Sequence, residues 1–248
     1  MELIKDTLAG LLAHWAEVTP DKEFIVYNDR NLRWTYSQFN ERVNQFAKGL
    51  MAAGVQKNSK VGIWANNVPD WLTVLFASSR IGAWAVTVNT NYKNAELEYL
   101  MSNADIHTMC MVPSYRDSDY VQMIREVVPE INKPHTIGNL HSGRLPELRN
   151  VVVLSDEHYD GMLNTQDLFN IGINVSDKEL SRAAEAVTCH DIVNMQYTSG
   201  TTGFPKGVML THYNVVNNGK CIGDRMDLST ADRMMVQVPM FHCFGIVL

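Results

Sequence analysis

Little in this 248-residue sequence supports a disulfide scaffold, a nucleic-acid binder or a membrane span. Its four cysteines, Cys110, Cys189, Cys221 and Cys243, lie far apart and none stands in a C-x-x-C pair. That spacing indicates neither a zinc knuckle nor a disulfide framework, and scattered reduced thiols fit a cytosolic protein. Positive charge is in the minority: 21 Lys and Arg against 27 Asp and Glu leave a net charge of −6. No basic run occurs, which argues against nucleic acid as the main partner, although a local basic site can still grip a phosphate. Long apolar runs are missing too, for no stretch approaches the roughly 20 residues that cross a bilayer. The opening "MELIKDTLAGLLAHWAEV" is broken by Glu2, Lys5, Asp6 and Glu17, so it lacks the unbroken apolar stretch of a signal peptide. A cytoplasmic location is the expectation. Internal repeats and low-complexity segments are also absent.

What is present is an ordinary globular composition, 46% apolar and 19% charged, with enough length for a substantial core. Leu8, Leu11, Leu12 and Trp15 share a helical face. Two short strands, "EFIVYN" and "NLRWTY", lead to Thr35-x-x-Gln38, which has the form of a capping box. Behind it Phe39, Val43, Phe46, Ala47, Leu50 and Met51 recur at helical spacing until Gly54. An alternation follows: "KVGIWA", "WAVTVN", "IHTMCMV" and "NVVVLS" read as strands. "PDWLTVLFASSRIGA", "NAELEYLMSNA" and "DYVQMIREVV" read as helices between them, with residues 130–148 loop-like. Strands without in-out alternation, separated by amphipathic helices, predict an α/β fold with a mostly parallel sheet covered on both faces. Residues 177–186 read as a helix, "HDIVNMQYTSG" as a buried strand, "VMLTH" as a returning strand and residues 213–225 as a helix. "RMMVQVPM" reads as a further strand, with Met234 and Met235 as packing residues.

Between two of these strands stands "YTSGTTGFPKGVMLTH". Gly200 and Gly203 allow positive φ and close approach to a ligand, and successive exposed amides form an anion-binding concavity. Thr198, Ser199, Thr201 and Thr202 add hydroxyl donors, Pro205 stiffens the approach and Lys206 supplies a mobile positive charge. The same residue types also build plain surface turns. A Walker A loop needs G-x-x-x-x-G-K-[ST], and here Pro205 precedes Lys206 and Gly207 follows it, so an ordinary P-loop is excluded.

The full string resembles the phosphate loop of the adenylate-forming superfamily, which contains acyl-CoA synthetases, luciferases and peptide-synthetase adenylation domains. "LRWTYSQFNERVNQFAKGL", "VGIWANNVPDWLTVLFASSRIGAWAVTVN" and "ELEYLMSNADI" are similar to the N-terminal domain of fatty acyl-CoA ligases, in that order. "RLPELRNVVVL", "THYNVVNNGKCIGDRM" and "VPMFHCFG" look closest to the medium-chain branch. The resemblance implies a carboxylate attacking the α-phosphate of Mg-ATP to give an acyl-adenylate, then transfer to coenzyme A. It implies that Thr198, Ser199, Gly200, Thr201, Thr202, Gly203, Phe204, Pro205 and Lys206 hold the β- and γ-phosphates, with Lys206 compensating the charge of the leaving pyrophosphate. His242 in "PMFHCFG" corresponds to a position beside the acyl-adenylate and is expected to position substrate. An already ionised carboxylate needs no general base. Cys189, His190 and Asp191, read as neighbours on a strand, point to opposite faces and predict no metal site. Trp64, Trp71, Trp84, His107 and Cys110 need no role beyond packing.

The resemblance has gaps. The family's glutamate for magnesium, its ribose-binding aspartate, the hinge and the small C-terminal domain find no counterpart, and "FHCFGIVL" closes the sequence in mid apolar run. Residues 1–188 are expected to form a first α/β subdomain and residues 189–248 to begin a second that carries the phosphate loop. The expectation is the N-terminal part of a larger enzyme, inactive alone and needing the missing portion or a second chain. A homodimer stays open. So do an aryl-CoA or amino-acid-activating enzyme and a short non-catalytic nucleotide- or partner-binding module.

Overall fold

A computed structural model of the protein describes residues 2–198 and 205–247. Helix α1 (Leu8–Val18) begins where the Thr7 side chain accepts the Gly10 N–H, and it buries Ala9 and Leu12. Trp15, expected on that inward face, is 40% exposed, its ring edge-on to His14 at 5.2 Å instead of in the core. Strands β1 (Glu23–Tyr27) and β2 (Leu32–Thr35) form an antiparallel hairpin. Helix α2 (Tyr36–Ala52) opens on the expected box: Gln38 N–H donates to the Thr35 hydroxyl at 3.3 Å, and Thr35 N–H donates to Gln38 Oε1 at 3.0 Å. It buries Phe39, Val43, Phe46, Ala47 and Leu50 and is closed by Gly54 at φ +88°.

The main sheet then builds up through β3 (Lys60–Trp64), α3 (Pro69–Arg80), β4 (Trp84–Thr87), α4 (Asn94–Asn103) and β5 (Ile106–Met111). A two-residue-a-side hairpin, β6 (Ser114–Tyr115) with β7 (Ser118–Asp119), leads into α5 (Tyr120–Val127). After a long loop come β8 (Asn150–Val153), β9 (Leu163–Asn164), α6 (Thr165–Gly172) and α7 (Asp177–Glu185). The chain finishes with β10 (Ile192–Thr198), β11 (Lys206–Thr211), α8 (His212–Arg225) and the short α9 (Cys243–Ile246).

Among the described residues the sheet has seven strands in the order β11-β10-β4-β3-β5-β8-β9, parallel throughout except for β10 with β11. Val61, Gly62, Ile63 and Trp64 are buried in succession, so β3 is covered on both faces, as its unalternating sequence predicts. Strand β10 pairs with β4, so the chain on both sides of residue 188 contributes to one sheet. Helix α6 crosses α2 so closely that a Cβ on Gly49 would lie 2.5 Å from the Leu168 carbonyl oxygen. The N-terminal segment is latched to α8. Ile4 N–H donates to Asn217 Oδ1 at 2.8 Å, Asn217 Nδ2 donates to the Ile4 carbonyl at 2.9 Å, and Leu8 N–H donates to His212 Nδ1 at 3.1 Å.

Several expectations are corrected. Residues 233–238 form no strand, because they meet no partner backbone among the described residues. Met234 and Met235, expected to pack, are 60% and 78% exposed. Cys189, His190 and Asp191 precede β10 in a turn and are not on a strand. There the Asp191 carboxylate accepts the Thr188 N–H at 2.7 Å and pairs with the Lys57 ammonium at 2.9 Å. Trp64 and Trp71 are fully buried, whereas Trp84 is half-buried beneath the Lys60 ammonium at 5.2 Å. No helix among the described residues is long and apolar enough to cross a membrane.

Candidate phosphate-binding site

The antiparallel register of β10 and β11 sets Tyr197 opposite Gly207 and Thr198 opposite Lys206. The two ends of the glycine- and threonine-rich loop are therefore brought face to face. Facing residues in a ladder project on the same side, so Thr198 and Lys206 share one face, and both are exposed. Pro205 is half-buried beside them. Ser199, Gly200, Thr201, Thr202, Gly203 and Phe204 lie outside the described residues.

On the other face of the hairpin the Tyr197 ring crosses Gly207. A Cβ there would lie 3.3 Å from Tyr197 Cζ and 3.0 Å from Met195 Sδ, so glycine makes room for the ring. Burial pushes the Tyr197 hydroxyl up to about 12, with the neighbouring Tyr99, Tyr92 and Asp105 adding to the effect. The phenol therefore stays a donor at neutral pH and reaches Asn103 Oδ1 at 2.7 Å.

Because β10 runs parallel to β4, with Gln196 beside Thr87, Thr198 emerges at the carboxyl ends of the parallel strands. Ligands of open α/β sheets gather at that edge. Asn66 and Asn67 follow β3 there and Thr90 follows β4. Asn67 acts as a clamp: its Nδ2 donates to the Val238 carbonyl at 2.8 Å and its Oδ1 accepts the Met240 N–H at 2.9 Å. The clamp holds residues 238–240 over the sheet edge, where a cavity of about 220 Å³ is lined by Asn66, Asn67, Thr90, Tyr115, Pro239 and Phe241, among others. His242 is exposed and caps α9, its Nδ1 accepting the Phe244 N–H at 3.2 Å. Thus Phe241 forms cavity wall while its neighbour His242 stands at the helix start.

Past Asn66 and Tyr115 a larger cavity of about 710 Å³ opens over β3, β5 and β8, with Arg30, Arg42 and Arg116 in its walls. Arg42 is held in place, with Nε and Nη2 both on Asp70 Oδ1 at 3.0 and 2.6 Å and its guanidinium 5.0 Å over Trp34. Among the described residues no group of three His, Cys, Asp or Glu is placed to hold a metal ion. Sequence reading did not single out Asn67, Thr90 or Phe241. The one available signal was the Asn66-Asn67 pair directly after a buried strand.

Residues 12–248 match the family described as AMP-binding enzyme. The chain belongs to that family. As an AMP-binding family member it is 44% identical over 247 residues to YngI of Bacillus subtilis (strain 168), provisionally named an acyl-CoA synthetase. That match covers 100% of this chain and 45% of YngI. It is 32% identical over 252 residues to the mitochondrial medium-chain acyl-CoA ligase ACSF2 of Bos taurus, covering 100% of this chain and 41% of the ligase. This AMP-binding family member therefore spans less than half the length of these curated relatives. Its fold matches the crystallised N-terminal domain of FACL13 from Mycobacterium tuberculosis with a TM-score of 0.73. That likeness, at 23% identity, covers 98% of this chain and 53% of the domain.

Proposed function

We propose that this chain is the N-terminal, phosphate-binding part of an AMP-forming fatty acyl-CoA synthetase, inactive in isolation. The observation that carries the reading is the registration of Thr198 opposite Lys206 at the carboxyl edge of a parallel sheet. It closes a loop whose glycines, hydroxyls and lysine suit a polyphosphate, in a chain whose relatives are named acyl-CoA synthetase and acyl-CoA ligase. A carboxylate is a poor acyl donor until its oxygen becomes part of a good leaving group, and ATP supplies AMP for that purpose. The first step then depends on positioning and on stabilising charge as pyrophosphate leaves. In this reading Lys206 and Thr198, with Ser199, Gly200, Thr201, Thr202, Gly203, Phe204 and Pro205, hold the β- and γ-phosphates. The cavity walled by Phe241 would take the reacting end of the acyl group, with His242 beside it. Magnesium would ride on the phosphates, with its protein ligand outside this chain, and coenzyme A would be the acyl acceptor.

The test is a chimera in which this chain replaces the matching segment of YngI. Fatty-acid-dependent ATP–pyrophosphate exchange is expected, and Lys206→Ala should lower it about a hundredfold, the size of effect seen when one charge-stabilising group is removed. The isolated chain should show only background. A folded chimera silent toward straight-chain carboxylates would overturn the reading. Exchange with aromatic acids or amino acids only would move it to a different carboxylate class.

A further inference from the structure

Tyr99 and Asn103 lie four residues apart on α4 and so occupy one face of it. The Tyr99 hydroxyl donates to the Pro205 carbonyl at 3.3 Å, at the residue just before Lys206. Asn103 Oδ1 accepts the Tyr197 hydroxyl at 2.7 Å, at the residue just before Thr198. One turn of helix, about 5.4 Å, thus spans both stems of the loop. Helix α4 is a firm base for this. It buries Leu97, Leu100 and Met101 at 0, 0 and 1% exposure, and the Glu96 carboxylate holds its first turn by accepting the Lys93 N–H at 3.1 Å. Pro205 has no N–H, so its carbonyl is the one backbone group by which that residue can be tied.

We infer that Tyr99 and Asn103 are positioning residues for the phosphate loop, an inference that rests on the polyphosphate reading above. They fix the two stems against a helix anchored in the core on its opposite side by Leu97, Leu100 and Met101, and so set where Thr198 and Lys206 stand relative to each other. Holding both stems in place beforehand lowers the ordering cost that binding would otherwise carry. Neither side chain needs to touch the phosphates. Tyr99 acts through the Pro205 peptide and Asn103 through Tyr197, whose ring in turn rests on Gly207. The stem contacts bridge 106 and 94 residues of sequence, so they join the hairpin to an element laid down much earlier in the chain.

The experiment is a titration of the 248-residue chain with Mg-ATP, followed by the phosphorus-31 resonances of the nucleotide, alongside urea unfolding of each variant. Weak, saturable binding is expected of the wild type, with Lys206→Ala abolishing the shift. Tyr99→Phe and Asn103→Leu should each weaken binding about threefold to tenfold, the affinity equivalent of one neutral hydrogen bond. In a Tyr197→Phe background, where the hydroxyl that Asn103 accepts is already gone, Asn103→Leu should change affinity by less than about twofold. That coupling is a readout that loss of fold stability alone would not produce. Wild-type affinity in Tyr99→Phe and Asn103→Leu, beside a weakened Lys206→Ala, would overturn this inference and leave the phosphate reading standing. Absence of saturable binding by the wild type would remove the phosphate reading and this inference with it.

Discussion

Consider urea unfolding of the protein near neutral pH, repeated on acidification and followed by the fluorescence of the fully buried Trp64 and Trp71. One buried base should dominate the difference. His212 is 0% exposed; its Nδ1 accepts the Leu8 N–H, so the neutral ring carries its proton on Nε2, which has no partner among the described residues. Burial pulls its pKa from 6.5 to about 4, while the Asp191 and Asp6 carboxylates pull upward and the Lys57 ammonium downward. The unfolded chain therefore takes up a proton near pH 6.5 that the folded chain refuses until about pH 4. Stability from this residue is fully present above 6.5, falls through that window and stops falling below about 4. The gap corresponds to about 3 kcal/mol, a large share of the roughly 5–15 kcal/mol that holds an ordinary domain together. His212→Asn supplies the control: its amide oxygen can stand near the place of Nδ1 and accept the Leu8 N–H, yet nothing there titrates. Truncating the ring lowers stability at every pH by about 1–3 kcal/mol. The wild type should then lose about 3 kcal/mol more than the variant across the window, and carboxylates such as Asp191, common to both, cancel in the comparison. Parallel stability curves for the two proteins between about pH 6.5 and 4 would refute the argument.

Other perturbations reach different parts of the molecule. Gly49→Ala places a methyl 2.5 Å from the Leu168 carbonyl oxygen and 2.6 Å from Leu168 Cγ, so it should destabilise by about 1–3 kcal/mol in thermal unfolding. No change would mean that α2 and α6 do not meet so closely. Asn67→Ala removes both bonds to residues 238–240, and hydrogen exchange at the Met240 amide should quicken by about tenfold or more. An unchanged rate would show that the clamp does not hold that segment. Arg42→Lys keeps charge but loses the paired Nε and Nη2 bonds to Asp70, and should lower the urea midpoint by the equivalent of about 1 kcal/mol. A variant as stable as wild type would contradict this.

Legibility in the sequence followed the range of the interaction. The Thr35–Gln38 box, Pro69 at the first position of α3 and the unbroken apolar run of β3 are local, and each could be placed from residue order alone. The phosphate loop was legible as a string because its chemistry is concentrated in consecutive residues. The partners that fix it were not, since Tyr99 and Asn103 lie about a hundred residues upstream and no periodicity links them to Pro205 or Tyr197. Residues 233–240 misled because an apolar, β-branched pattern states only that a segment could pair, whereas a strand also needs a neighbour. Helix α6 escaped notice for a different reason: at eight residues, its apolar Leu168, Phe169 and Ile171 make too short a repeat to stand out, and its close seat on α2 depends on Gly49 and Gly172. His242 drew attention as an unusual residue type, while the cavity wall beside it is built by Phe241.

The latch between the start of the chain and α8 also has a history in time. Ile4 waits for Asn217, which is made 213 residues later. At ribosomal rates of roughly 5–20 residues per second, the delay is on the order of 10–40 s. Throughout that interval the first segment has no α8 to hold, while the early hairpin and the strands from β3 to β8 can already associate. Helix α8 thus finds a platform already assembled and the first segment of the chain still waiting for it. Its arrival ties down the first residues of the chain, so a bulky group fused ahead of Ile4 would obstruct a late event in the folding of this segment, not an early one.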